Sequence, residues 1–150
     1  MFLREALKLQ NAKMAAPLRQ AGLYLFDSGA VAIATTNIDD VNDEVRLVKF
    51  PDQCRLIDFQ VTATDMDTNA TPTLAFDIRT DDGSTEVLYI SATTIGQAGG
   101  TDEVDLAVNL IGTDVSNLYL STKVTTVSAT GAAGTIRVKG LVWLGNRIAL

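Results

Sequence analysis

The chain has 150 residues, a mass of 16.0 kDa and a formal net charge of −6. Apolar residues make up 47% of it and charged residues 20%, the balance of one folded domain and not of a chain disordered throughout. No uninterrupted apolar run approaches the ~20 residues that cross a bilayer. Arg4, Glu5, Lys8, Gln10, Asn11 and Lys13 break the N-terminus, so it lacks the continuous apolar stretch of a signal peptide and is expected to belong to the mature protein.

Charge is unevenly placed. Residues 1–20 carry Arg4, Lys8, Lys13 and Arg19 against Glu5, a net of +3, which leaves −9 on the other 130 residues. An acidic body without a cluster of adjacent basic residues repels phosphate, so nucleic acid is not an expected partner. Phe2, Leu3, Ala6 and Leu7 follow the i, i+3, i+4 spacing of a short amphipathic helix, with Arg4 and Lys8 four apart on another side. Residues 1–25 are therefore read as a basic arm, a short helix or extended segment that ends near Pro17. It either caps the domain's own core or lies across a neighbouring subunit.

From residue 26 to 150 the texture is that of an antiparallel β-sandwich or jelly roll. Short runs rich in Val, Ile, Leu, Phe and Thr alternate with Asp, Asn, Gly and Pro clusters, and no helix-length segment interrupts them. About eight strands are predicted, near 29–36, 44–50, 54–64, 72–79, 85–91, 104–111, 117–127 and 133–144. In the fourth, Leu74, Phe76 and Ile78 should point to the core, and Thr73, Ala75, Asp77 and Arg79 to solvent. In the last, Ile136, Val138, Val142 and Leu144 share one phase with Gly140, while Arg137, Lys139, Leu141 and Trp143 share the other. Both sides become apolar towards Trp143. The strand is either central and covered by a loop, or turned towards another subunit.

The connections carry the remaining polar motifs. Asp82-Gly83 in TDDGS is read as a two-residue hairpin turn with both residues at positive φ. SATTIGQAGGTDEVD reads as a flexible loop with no following helix, hence no phosphate cradle, and SATGAAGT as a hairpin tip. Asp65, Asp67 and Asn69 open like a calcium loop, but the sixth position is Ala70 and the twelfth Phe76, so no EF-hand forms. These residues read as a polar turn or as a looser cation site. Paired carboxylates such as Asp39 with Asp40 or Asp81 with Asp82 read as solvated loop residues.

Catalysis has little to rest on. The chain has no histidine, which removes His-assisted nucleophiles, His-bound zinc and the commonest general base. Its lone cysteine, Cys54, cannot form an intramolecular disulfide and reads as a buried thiol. No enzymatic activity, cofactor or metal site is expected.

The stretch VRLVKFPDQCRLIDFQVTATDMDTNATPTLAFDIRT (45–80), followed by TTIGQAGGTDE (93–103), resembles the small β-rich auxiliary head proteins of tailed bacteriophages, the decoration or cement proteins. The likeness covers about 60 residues. It implies a virion protein on the outer surface of an icosahedral capsid that binds the major capsid protein, stabilises its contacts and assembles as a homotrimer or homodimer, without membrane partners. Phe2, Leu3, Arg4, Leu7, Lys8, Lys13 and Arg19 of the arm, with Trp143, are the candidate contact residues. Two other readings stay open: a neck, tail or head-fibre component, and a carbohydrate-binding jelly roll using Trp143, Tyr89 and Tyr119.

Overall fold

The structure, a computed structural model, describes residues 22–104 and 112–145. Its strands are β1 (Gly22–Asp27), β2 (Val31–Ile33), β3 (Glu44–Lys49), β4 (Cys54–Ala63), β5 (Ala75–Asp81), β6 (Glu86–Thr93), β7 (Gly100–Glu103), β8 (Thr113–Asp114), β9 (Tyr119–Thr126) and β10 (Gly134–Leu144). Two single 3-10 turns, Thr35–Asn37 and Ile95–Gln97, are the helical elements among the described residues. No helix there is long and apolar enough to cross a membrane.

All pairings are antiparallel and form two sheets. One has the order β1-β10-β4-β7, with β2 also on β10 and β8 also on β4; the other has the order β3-β9-β5-β6. The pairs are nested along the chain: β1 with β10, β3 with β9, β4 with β7 and β5 with β6, alternating between the sheets. A long antiparallel ribbon folded over itself has this pattern. The fold is a β-sandwich, as the strand texture predicts.

The core lies between the sheets. Leu56, Phe59, Val61, Ile136, Val138 and Val142 come from one side and Leu47, Phe76, Ile78, Leu120 and Val124 from the other, all buried. Each such side chain contributes roughly 1.5–3 kcal/mol through removal from water. Phe26 meets Phe50 edge-on at 5.3 Å between ring centroids, and Phe59 meets Tyr89 at 5.8 Å, the geometry that aromatic quadrupoles favour.

Strict alternation breaks in two strands, and one expected turn is corrected. Leu56 and Phe59 both point inward although they stand three positions apart, because Val142 pairs with Leu56 and Leu141 with Asp58, leaving Ile57 as an extra residue on β4. A similar register shift in β3 buries both Leu47 and Val48. The β5–β6 connection is longer than a two-residue turn. It runs through Asp82–Thr85, with the Asp82 N–H donating to Thr85 O and only Gly83 at positive φ, 92°. Asp82 is held otherwise, its carboxylate accepting the N–H groups of Ser84 and Thr85.

Three strands stand where none was predicted, the two-residue β8 on β4 among them. β1 crosses the expected arm boundary at residue 25, since Leu23 and Leu25 face outward and Phe26 inward, so apolar residues on both sides hide the alternation. β7 lies in the glycine-rich segment read as a loop, where pairing with β4 overrides weak local preference. Of the predicted 104–111 strand, residues 105–111 lie outside the described residues, as does the arm through residue 21.

Candidate functional site

The outer side of the β1-β10-β4-β7 sheet carries the largest exposed apolar side chains of its strands. Period-2 geometry puts Leu23, Leu25 and Asp27 of β1 on that side, opposite Trp143, Leu141 and Lys139 of β10. Leu25 is 74% exposed, Leu23 55% and Trp143 37%, whereas most other large apolar residues among the described ones are buried. Two cross-strand apolar pairs, Leu23–Trp143 and Leu25–Leu141, thus form a ladder at one end of the sheet. Contiguous exposed apolar side chains make this end of the sheet the candidate interaction surface.

Next to the ladder lies a groove of about 530 Å³, walled by Leu25, Leu141, Asp58, Gln60, Glu103 and Lys139. Its floor is the sheet around Gly140, which pairs with Phe26 on one side and Phe59 on the other. A Cβ on Gly140 would stand 2.2 Å from Asp58 O, 2.7 Å from Phe59 Cβ and 2.8 Å from Phe26 Cε1. Glycine here lets both rings pack beneath β10. The far edge of the surface is pinned by the Arg137 guanidinium, which donates to both carboxylate oxygens of Asp27, one contact at 2.8 Å. That hydrogen bonding holds Asp27 below its ordinary carboxylate pKa.

The opposite sheet shows a different chemistry. Arg79, expected in solvent, is buried, with its guanidinium donating to Glu44 at 2.7 Å, Asp81 at 2.8 Å and Glu86 at 2.6 Å. Those acids stand on β3, β5 and β6, so one cation ties three strands together. Arg46 and Lys49 lie over the Tyr119 ring at 4.4 and 5.5 Å. One outer face is therefore apolar at one end, the other charged.

The D-x-D-x-N residues are used by the fold. The Asp67 carboxylate is buried and accepts N–H groups from Thr73 (2.8 Å), Leu74 (3.0 Å), Ala129 (2.9 Å) and Thr130 (2.9 Å), with a longer contact from Asn69 at 3.4 Å. Burial alone would raise its pKa. The backbone donors outweigh burial and hold it far below the usual carboxylate range. Asp65 and Asn69 cap their own turns, accepting from the N–H groups of Asp67 and Thr71. The three oxygens of Asp39, Asp40 and Asp43 that approach within 4.8 Å belong to one loop, and Asp43 accepts the Asp40 N–H.

Other sequence candidates separate in space. Cys54 is buried at 1% exposure, and burial followed by the nearby Asp114 charge pushes its thiol pKa up to about 12. Tyr89 is buried in the core, and Tyr119 stands on β9 in the opposite sheet from Trp143 on β10, so the three aromatics form no common platform. Phe2, Leu3, Arg4, Leu7, Lys8, Lys13 and Arg19 lie outside the described residues. Of the contact candidates Trp143 is the one described, and it stands in the exposed ladder. Leu23 and Leu25 were not singled out from sequence. The signal available was their shared phase in GLYLFD, two residues apart with an acid at the third position.

No family model matches the sequence, and no curated protein matches it. Solved structures do. A chain in the cyanophage Pam1 capsid asymmetric unit is similar over 83% of this chain and 86% of its own length, with a TM-score of 0.64 and 22% identity. A chain in the capsid of Ralstonia phage GP4 is similar over 85% of both, with a TM-score of 0.60 and 22% identity. At such identity the shared property is the fold, and it extends over nearly the whole of each chain.

Proposed function

We propose that the chain is a virion structural protein that decorates the outside of an icosahedral phage capsid and stabilises contacts between major capsid proteins. The observation that carries this reading is the likeness of the whole sandwich to chains in the Pam1 and GP4 capsids. The nested strand order further supports a jelly roll, an architecture recurrent among viral capsid domains. The protein works by binding, with no chemical step.

The contact surface is the apolar end of the β1-β10-β4-β7 sheet together with residues 1–20, which bring basic charge to an acidic body. A single apolar ladder makes a modest contact. On a lattice, symmetric repetition makes many modest contacts act together, and assembly as a homotrimer or homodimer adds to that effect. Purified chain should co-sediment with capsids that lack it, and Leu23→Glu with Trp143→Glu should abolish this while leaving the β-rich circular dichroism spectrum intact. Failure of the natural chain to sediment would contradict the capsid role. Undiminished binding by the double variant would contradict the surface.

A further inference from the structure

We propose that β1 is a pairing edge for a second copy of this chain: two β1 strands run antiparallel about a two-fold axis at Tyr24, with Leu23 of each opposite Leu25 of the other. This assigns a surface to self-association and does not rest on the capsid reading.

Edge strands present unpaired backbone groups, and natural sheets blunt them with short length, charge, Pro or bulges. The other edges among the described residues are blunted in these ways. β2 and β8 span three and two residues. β7 has four and ends in Asp102-Glu103. β3 carries Glu44, Arg46 and Lys49 and shifts register between Arg46 and Val48. β6 begins at Glu86, and its pairing with β5 shifts register twice. β1 has none of these devices. It pairs with β10 in unbroken register from Gly22 to Asp27, contains no Pro or Lys, and its one charge, Asp27, is tied to Arg137. On its other side it pairs with no strand among the described residues.

Backbone parity decides which groups reach outward. The Ser28 N–H, continuing the β1 register, donates to Val138 O, and the Thr64 N–H at the β4 side donates to Thr135 O, so even-numbered β10 residues bond to β1. Alternation then turns the N–H and C=O groups of Tyr24 and Phe26 towards β10 and leaves those of Leu23 and Leu25 pointing off the edge. An isologous contact has to be complementary to itself. Leu23-Tyr24-Leu25 reads the same in both directions. An antiparallel copy therefore sets the outward groups of Leu23 against those of the partner's Leu25, two hydrogen bonds for each of two such pairs, with leucine opposite leucine and no like charges opposed. Each row of the ladder then runs Trp143, Leu23, the partner's Leu25 and the partner's Leu141. The two ladders join into one apolar strip four strands wide. Pairing uses the edge of the sheet and leaves its outer face uncovered.

Sedimentation equilibrium of the full chain at micromolar concentration, with no capsid present, should give a dimer of twice the 16.0 kDa chain mass. Leu25→Pro removes an N–H that points off the edge and takes no bond from β10. Two hydrogen bonds vanish per dimer, so the dissociation constant should rise about tenfold or more, with the β-rich circular dichroism spectrum retained. A monomeric natural chain overturns the proposal, and so does a dimer that Leu25→Pro leaves equally tight. Oxidation of single-cysteine variants reads the register and decides the matter even where Leu25→Pro fails to fold, the native Cys54 being buried. Leu23→Cys and Leu25→Cys should link to each other when mixed, because directly opposite residues meet the Cα spacing of a disulfide, and neither should link to itself across the longer diagonal. Self-linking by either variant, or no linking in the mixture, overturns the proposal. The capsid reading stands or falls separately, on co-sedimentation.

Discussion

Asp67 shows how one residue can be legible in kind and hidden in role. Its place in D-x-D-x-N marks it as a turn residue or a cation ligand, and the local N–H partners belong to that reading. Ala129 and Thr130, 62 and 63 residues away, do not; sequence cannot show that this carboxylate joins the turn after β4 to the one before β10. Asp67→Asn keeps the shape but replaces an acceptor with a donor facing N–H groups, and should cost about 3 kcal/mol or more at pH 7. Because the folded pKa lies below the unfolded value of about 3.9, this stability is present in full above the unfolded value. It is lost as pH falls towards the folded one. Urea unfolding at pH 7 and pH 3 checks this: the variant should lose most at pH 7, and the difference should narrow on acidification.

At the scale of elements, the strands with clean alternation were readable and those paired at a distance were not. The β5 phase of Leu74, Phe76 and Ile78 holds, with all three buried. Its outer phase failed at Ala75, which is buried, and at Arg79, where burial depends on acids contributed by β3 and β6. β1 and β7 escaped notice because their partners, β10 and β4, are remote in the chain and their own residues give weak signals. β10 itself carries a testable constraint. Gly140→Ala would place a methyl against the Asp58 carbonyl oxygen, the Phe59 Cβ and the Phe26 ring, so backbone or aromatic packing must shift. A loss of about 1–3 kcal/mol is expected, read as a lower thermal midpoint. Gly83→Ala, on an open turn with nothing within 4 Å of the added carbon, tests the alternative cause; its cost comes from positive φ alone and should be smaller.

For the whole molecule, an all-β sandwich was within reach of composition and strand spacing. The nesting of β1 with β10, β3 with β9, β4 with β7 and β5 with β6 was not, since it is a property of pairings and not of segments. Nor was the division into an outer face apolar at one end and an outer face laced with ion pairs. That division would orient the sandwich in the proposed role: on the charged side the terminal guanidinium nitrogens of Arg79 donate to three acids, while Leu23, Leu25 and Trp143 of the ladder remain exposed. The most direct measurement is an electron cryo-microscopy map of the assembled particle that contains this chain. Symmetric copies of the sandwich are expected on the outer capsid surface, with the Trp143 end towards the major capsid protein. Density confined to the neck or tail, or an outer shell without the sandwich, would contradict it.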